Sequence, residues 1–424
     1  MKRLSVFILL LALSTLSVLA QPDEVPLRVV DVQNLSDLTS ANVRSMVVSP
    51  DGSMLAWLEP GDQTICLYTF ADETPECTPM PEEFRPSNAL YWSPDGRYIA
   101  MLEDFFIRLF ESDIWLFDVE NRTLINRTDD GLFGGLFDME NPPIDLVPTW
   151  NPANGDLYFF RTQEEGDLRL MDLYRIPAEN LTASGLFNGP QFVRRFSEYT
   201  PISIFETNNN SLSGATAISP DGSTMAILVR PNDPDFPQSV DLLNLETGEL
   251  RTLVVRERLN GIGLPNWMDE NPGPLQLQAL TWTADGTSLL VTTVNEVDLS
   301  GIGAVAYYID IESRGITALT DFSAVAQASD LFVANEATGF NPVYDFPFSS
   351  VYLAEENLFV YLNNFQGEGG VSAFELPPEN NPQPLRLDAF ETRVFGMFTS
   401  SVGDDGNTVR ILMVNHLITL ERTP

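Results

Sequence analysis

The sequence contains almost no lysine or histidine. Lys2 is the only lysine and His416 the only histidine among 424 residues. A Schiff base and a phosphate-binding loop both need a lysine, so a chain that loses its first residues on export has neither kind of site. A single histidine, in an expected hairpin turn and without a Gly-x-Ser-x-Gly elbow elsewhere, argues against a nucleophilic catalytic triad.

Cysteine is also scarce, and long helical periodicity is absent. Cys66 and Cys77 are the only two cysteines, and a strand, a turn and the start of another strand are expected between them. An even pair at this spacing predicts a disulfide across a hairpin in an oxidising compartment. A metal site is disfavoured there because no further histidine or cysteine ligands lie near in the sequence.

The first residues are typical of an export signal. Basic Lys2 and Arg3 precede an almost wholly apolar run that ends in small residues at Val18 and Ala20. We expect residues 1–20 to be a cleaved signal peptide and residues 21–424 to form one domain. An uncleaved anchor is the alternative, but no basic stop-transfer cluster follows the run, and no later stretch is long and apolar enough to span a membrane.

Positive charge is in short supply throughout the chain. The sequence has 60 acidic and 23 basic residues, which gives a formal net charge of -37. Such a surface repels nucleic acid and anionic lipid. It attracts divalent cations and basic protein surfaces, or it simply keeps an exported protein soluble.

What the sequence does contain is a recurring turn phrase. Ser-Pro-Asp-Gly occurs intact at residues 49–52, 93–96 and 219–222, and looser copies stand at residues 151–155, 283–286, 354–357 and 403–406. In each copy proline presets the first corner, aspartate bonds the local backbone, and glycine takes the left-handed position. Repetition at this interval predicts a repeat architecture.

Several copies are followed by a second hairpin. Examples are residues 113–125, 239–253 and 305–319, each with two short β-type segments around a turn. Two hairpins make four antiparallel strands, which is one blade of a β-propeller. We therefore predict an all-β propeller of four-stranded antiparallel blades. Seven blades are expected, and six are the alternative if the copy at residues 354–357 is not a true repeat.

The phrase also carries a family resemblance. Ser-Pro-Asp-Gly followed by an Ile-Ala or Leu-Ala strand resembles the WD40-like repeat of TolB-type β-propellers, which also occurs in propeller domains of prolyl-oligopeptidase-like peptidases. The resemblance covers essentially all of the expected mature chain. It implies the propeller fold and a bacterial protein outside the cytoplasm, periplasmic or secreted, but this fold hosts many activities.

The two chain ends are expected to share a blade. After the last turn phrase only two strands remain, at residues 408–414 and 417–421, where a blade needs three. Residues 25–31 form a β-type segment near the N-terminus. Pairing this segment with the last blade supplies the missing outer strand, removes an exposed edge and closes the ring.

The long connections indicate a binding face. Antiparallel order puts the turn phrases on one face of the ring, and the expected long loops 129–148, 256–274 and 321–348 on the opposite face. These loops contain many aromatic residues, which are good anchors in a binding surface when they do not simply cover gaps between blades. The candidates for binding are the following side chains: Phe133, Phe137, Trp267, Tyr344 and Phe346.

A weak cation candidate lies on the same expected face. Asp233 and Asp235 form an Asp-x-Asp pair that could offer carboxylates to Ca²⁺, but the remaining ligands of a calcium loop are missing. No other cofactor is expected. The turn aspartates are better explained by turn closure than by catalysis.

Two functions remain open at this stage. The favoured one is non-catalytic recognition of a protein, peptide or glycan by a monomer, on the long-loop face. The alternative is a hydrolase or lyase that works from carboxylates or a metal at the central channel, because carboxylate pairs need no histidine. The number of acidic residues keeps this alternative open without nominating a pair.

Overall fold

The structure is a computed structural model, and almost all of its described residues lie in β-strands or tight turns. The strands form seven four-stranded sheets. The described residues are 26–35, 38, 44–59, 63–104, 112–129, 131, 143–165, 168–182, 189–196, 216–229, 238–259, 262, 275–297, 301–319, 350–363, 369–379, 382, 384–390, 401–413 and 416–423.

Each of the first six sheets is a blade built from strands consecutive in sequence. Blade 1 comprises β2 Arg44–Val48, β3 Met54–Glu59, β4 Thr64–Thr69 and β5 Pro75–Pro79. Blade 2 comprises β6 Pro86–Trp92, β7 Tyr98–Glu103, β8 Ile114–Asp118 and β9 Thr123–Asn126. Blade 3 comprises β10 Asp145–Trp150, β11 Leu157–Glu165, β12 Leu168–Ile176 and β13 Gln191–Phe196. Blade 4 comprises β14 Thr216–Ile218, β15 Thr224–Val229, β16 Ser239–Asn244 and β17 Leu250–Val255. Blade 5 comprises β18 Leu275–Trp282, β19 Ser288–Val297, β20 Gly301–Asp310 and β21 Ile316–Leu319. Blade 6 comprises β22 Ser350–Leu353, β23 Leu358–Asn363, β24 Gly369–Glu375 and β25 Leu385–Phe390.

Blade 7 joins the two ends of the chain. It contains β26 Ser401–Asp404, β27 Thr408–Met413 and β28 His416–Arg422, and its outer strand is β1 Leu27–Asn34. β1 pairs antiparallel with β28, from Leu27 opposite Arg422 to Asn34 opposite His416. The predicted seven-bladed ring, closed by the N-terminal strand, is confirmed, and the six-bladed alternative is wrong because the turn at 354–357 joins β22 to β23.

The inner strands are apolar because they are covered on both faces by neighbouring blades. All six residues of β7 and all five of β8 are buried. The core therefore lies between blades: one cluster joins β7 and β8 to β11 of blade 3, and another joins blade 7 to blade 6. Outer strands such as β5 and β9 are mostly exposed or half-buried.

The turn phrases close the first hairpin of their blades. Gly52, Gly96, Gly222 and Gly286 all have positive φ between 67° and 76°. Because glycine has no Cβ, it adopts this left-handed conformation without steric cost. The backbone amide of each glycine donates a hydrogen bond to the residue three positions earlier, at 2.8 to 2.9 Å.

Strand order defines the two faces of the ring. The connections from first to second and from third to fourth strands lie on one side, here called the turn face. The connections from second to third strands and from one blade to the next lie on the opposite side, the long-loop face. Long inter-blade connections of this second class are residues 127–144, 197–215, 256–274, 320–349 and 391–400.

Two details differ from the sequence-based expectation. The expected loop 129–148 is too long at its end, because Asp145–Trp150 form β10. Pro148 is tolerated there because the β10–β11 register is irregular between Leu146 and Thr149, and Val147 has φ 53°. The expected loop 256–274 begins with a single helical turn, α1 Arg256–Leu259.

The predicted disulfide is present. Cys66 on β4 and Cys77 on β5 are register partners, and their sulfur atoms are bonded. The bridge therefore joins the third strand of blade 1 to its outer strand. Within the described residues, no helix has the length and apolar character needed to cross a membrane.

Candidate functional site

The residues predicted to bind a ligand lie outside the described residues. Phe133, Phe137 and Trp267 belong to inter-blade connections, as do Tyr344 and Phe346. Strand topology assigns the ends of these connections to the long-loop face, as expected from the sequence.

The same holds for the weak cation candidates. Asp233 and Asp235 lie outside the described residues, in the connection between Val229 at the end of β15 and Ser239 at the start of β16. This connection joins second to third strands, so its ends are also at the long-loop face.

The turn face is described in atomic detail, and its aspartates close turns. Asp221 Oδ1 accepts hydrogen bonds from Ser219 Oγ at 2.6 Å and from the Ser223 amide at 3.0 Å, and Ser223 Oγ contacts both carboxylate oxygens at 2.9 Å. Asp51 has the same contacts with Ser49 and Ser53. The interpretation of these aspartates as turn-closing residues is supported.

These hydrogen bonds stabilise the charged form of the carboxylates. The Ser219 hydroxyl, followed by the Ser223 amide and hydroxyl, holds the pKa of Asp221 below its ordinary value. The Thr283 hydroxyl and the Thr287 amide do the same for the pKa of Asp285. Hydrogen bonds donated to a carboxylate favour its ionised form, so both groups are negative at neutral pH.

A cleft opens on the turn face between blades 4 and 5. The β14–β15 and β18–β19 turns nearly touch at its edge, where a Cβ atom built on Gly286 would lie 3.6 Å from Pro220 Cδ. The cleft has a volume of about 180 Å³. Its lining consists of Ser219, Asp221, Ser223, Thr224, Leu242, Arg251, Trp282, Asp285, Gly286 and Ile311.

The cleft combines charges of both signs with an apolar wall. Asp221 and Asp285 come from the two turns, and the exposed Arg251 comes from β17. Trp282 is 7% exposed, and its indole Nε1 donates a hydrogen bond to the Ala217 carbonyl at 3.0 Å, which fixes the ring. Sequence reasoning missed this cleft because its lining comes from two neighbouring repeats and from strands far apart in the chain.

A second charged cluster lies at the seam between blades 6 and 7. Arg422 Nε donates to Glu356 Oε1 at 2.6 Å, and its Nη2 lies 3.1 Å from Glu355 Oε2. The same guanidinium binds both carboxylate oxygens of Asp404. The hydrogen bonds that Arg422 donates to Asp404 and Glu356 raise the pKa of its guanidinium, and the hydrogen bonds from Arg422 lower the pKa of Asp404.

Among the described residues, this cluster contains the one set of three acidic side chains whose oxygen atoms are close enough together to bind one metal ion. One oxygen from each of Glu355, Glu356 and Asp404 lies within 4.8 Å of the others. However, Arg422 already supplies a positive charge to all three carboxylates. We therefore interpret the cluster as an ion-pair network that joins the first turns of blades 6 and 7 to β28.

The position of His416 also differs from the expectation. His416 is the first residue of β28 rather than a turn residue, and it is 6% exposed. Burial lowers the pKa of its imidazole, which favours the neutral form. The described residues provide no hydrogen bond to Nδ1, so this structure gives His416 no base or orienting partner at that atom.

Comparison with known proteins identifies the fold and no family. No family model matches the sequence, and no curated protein matches it. Among solved structures, an oligogalacturonate lyase from Vibrio parahaemolyticus is 11% identical with a TM-score of 0.52, covering 94% of this chain and 98% of that chain.

Two other solved structures are also similar to this chain. Hydrazine synthase from Kuenenia stuttgartiensis is 13% identical with a TM-score of 0.50, covering 89% of this chain and 95% of that chain. TolB from Acinetobacter baumannii is 14% identical with a TM-score of 0.39, covering 81% of this chain and 64% of that chain. At 11% and 13% identity, the similarities to the lyase and to hydrazine synthase concern the fold alone, since one fold can serve many unrelated functions.

Proposed function

We propose that this protein is an exported, monomeric, non-catalytic β-propeller that recognises a protein, peptide or glycan on its long-loop face. The observation that carries the proposal is the one-sided distribution of long connections. Residues 320–349 and 256–274 join strands at the long-loop face, whereas first-to-second turns such as residues 49–53 are short. Loops attached to a rigid scaffold are where binding residues concentrate.

A closed ring suits this task. The ends of the long connections are held by strands of packed blades, so the scaffold loses little conformational freedom when a partner binds. The aromatic candidates Trp267 and Tyr344 would supply anchors with large contact areas. The repeat resemblance to TolB-type propellers fits the same proposal, as does the disulfide, which persists in oxidising compartments.

The experiment uses the protein recovered after export, whose intact mass should match a chain that starts at Gln21. The purified protein is applied to peptide and glycan arrays, and affinities for the hits are measured with Trp267→Ala and Tyr344→Ala. We expect each variant to weaken binding about tenfold or more, as removal of an anchoring aromatic does, while the melting temperature stays unchanged.

The matched control is Phe192→Ala. Phe192 is an aromatic residue with 57% exposure on β13, the outer strand of blade 3, and lies away from the inter-blade connections. This variant should bind as tightly as the unmodified protein. Equal affinity in all three variants would exclude the long-loop face.

The same preparation tests the enzymatic alternative. A hydrolase or lyase at the central channel predicts turnover of an array glycan or peptide, or a metal present in stoichiometric amount by elemental analysis. Either result would replace the binding proposal by the enzymatic one.

A further inference from the structure

The cleft between blades 4 and 5 contains a positively charged side chain, Arg251, that the fold does not pair with an acidic residue. Within the described part of the chain, the Arg251 guanidinium forms no ion pair and no hydrogen bond, although the protein has far more acidic than basic residues. Its guanidinium offers five hydrogen-bond donors. An exposed arginine that lines the same cleft as two ionised carboxylates is therefore available to a ligand.

The carboxylates of the cleft also keep acceptor capacity. Among the described residues, Asp221 Oδ2 accepts only from Ser223 Oγ, at 2.9 Å. Asp285 Oδ2 likewise accepts only from Thr287 Oγ1, at 3.0 Å. Since a carboxylate oxygen has two lone pairs, each of these oxygens can accept one more hydrogen bond. The turn hydrogen bonds hold both groups in place, so they are preorganised as acceptors.

The signs of these charges select the ligand. An anionic ligand would be repelled by Asp221 and Asp285, which outnumber Arg251, and a cationic ligand would leave the donors of Arg251 without an acceptor. A neutral group that both donates and accepts hydrogen bonds satisfies all three side chains, and a hydroxyl group does both. Leu242, Ile311 and Trp282 line the same cleft and offer an apolar surface to the carbon atoms of such a ligand.

The size of the cleft restricts the ligand further. Its volume of about 180 Å³ is comparable with the cavity of roughly 150 Å³ that holds a benzene molecule in another protein. One six-membered ring therefore fits in the cleft. Neutral polyhydroxylated rings of this size are pyranose sugars.

We propose that the cleft formed by Asp221, Arg251, Trp282 and Asp285 binds one pyranose ring of a neutral saccharide. The two turn carboxylates accept hydrogen bonds from ring hydroxyls, and the Arg251 guanidinium donates to a hydroxyl or ring oxygen. This site is on the turn face, opposite the long-loop face, so its failure in a test leaves the proposed function untouched.

The test is saturation-transfer NMR on the full mature chain. The probes are methyl α-D-glucopyranoside, methyl β-D-galactopyranoside and methyl α-D-mannopyranoside, with D-glucuronic acid as the anionic analogue. We expect saturable binding of at least one neutral glycoside and weaker binding of the anionic analogue, because its carboxylate meets the like charges of Asp221 and Asp285 in the cleft.

Two variants with the same charge change locate the site. Arg251→Gln should weaken binding of the neutral glycoside at least tenfold, because it removes charge-assisted hydrogen bonds. Arg258→Gln removes another exposed arginine that does not line the cleft, and it should bind within twofold of the unmodified protein. Circular dichroism should be unchanged in both variants. The melting temperature should be unchanged in Arg251→Gln and should fall by no more than about 2 °C in Arg258→Gln, which loses an exposed hydrogen bond from Arg258 Nη2 to the Arg314 carbonyl.

Three results would overturn the proposal. The first is the absence of saturable binding for all three neutral glycosides. The second is tighter binding of glucuronic acid than of any neutral probe. The third is equal affinity in Arg251→Gln and Arg258→Gln, which would put the saccharide elsewhere on the ring.

Discussion

Gly403 lies at a close contact between the last blade and the first blade. A Cβ atom built on Gly403 would overlap the Ser49 carbonyl oxygen and would lie 2.5 Å from Gly52 Cα. The neighbouring Asp404 amide donates a hydrogen bond to the Pro50 carbonyl at 3.0 Å. The degenerate seventh turn phrase thus places a glycine where the first turn phrase leaves no room for a side chain.

We expect Gly403→Ala to lower the free energy of unfolding by about 1–3 kcal/mol or more, because the new methyl group overlaps backbone atoms that cannot move aside freely. Gly189→Ala is the control, since a Cβ atom there would have no neighbour within 4 Å. It should change stability by less than about 0.5 kcal/mol. Urea unfolding of both variants measures the difference, and similar midpoints would contradict the close packing at this seam.

At the scale of elements, the outer strand of blade 7 is the feature that closes the ring. β1 pairs along β28 and buries Leu27, which is 1% exposed and packs with residues of blades 6 and 7. The opposite seam of blade 7 faces blade 1, where Ser401 Oγ accepts a hydrogen bond from the Val48 amide at 2.9 Å. Loss of β1 would expose the edge of β28 and one side of the core.

We predict that deletion of residues 21–35 lowers the melting temperature by more than about 10 °C, because the loss of a buried strand costs several kcal/mol in a chain of marginal stability. Should the truncated chain not fold at all, Leu27→Ala tests the same contact, with an expected cost of about 2–4 kcal/mol. Val30→Ala, at a position of the same strand that is 41% exposed, is the control and should be nearly neutral. Unchanged melting of the truncated chain would contradict closure by β1.

For the whole molecule, the dominant property is the formal net charge of -37 on one ring of packed blades. Charges of one sign at this density repel one another and destabilise the compact state. Ion pairs oppose this only locally, as at Arg422, and many acidic residues have no basic partner available because the chain has only 23 basic residues. Screening by salt should therefore favour the folded state.

We expect a single cooperative thermal transition whose midpoint rises by several degrees between about 0.02 and 0.2 M NaCl, a range over which the screening length falls below roughly 10 Å. Potassium chloride at equal ionic strength should have the same effect, which controls for specific sodium binding. A midpoint that falls with salt would mean that ion pairs outweigh repulsion. Two separate transitions would contradict the proposal of one domain in residues 21–424.

The architecture was predictable from sequence because its determinants are local. A turn such as Ser219 to Gly222 is specified by residues within five positions of one another, and the same phrase repeats. Counting these turns predicts the blades, and the two strands remaining after residue 406 predict that the N-terminal segment supplies the third. The pairing of Cys66 with Cys77 was predictable for the same reason, since the two residues lie on adjacent strands of one hairpin.

Only the tertiary structure decided which side chains meet across blades. Arg251 on β17 and Asp285 in the β18–β19 turn line one cleft, and Arg422 joins Glu356 to Asp404, because packed blades bring together residues from different repeats. The sequence by itself determined the ring, its closure and its charge, because these depend on local turns and on composition. Local turn chemistry carries no information about which side chains of the neighbouring blade lie opposite. Contacts between blades depend on twist and side-chain packing of the assembled ring, and these placed the cleft and the ion-pair network.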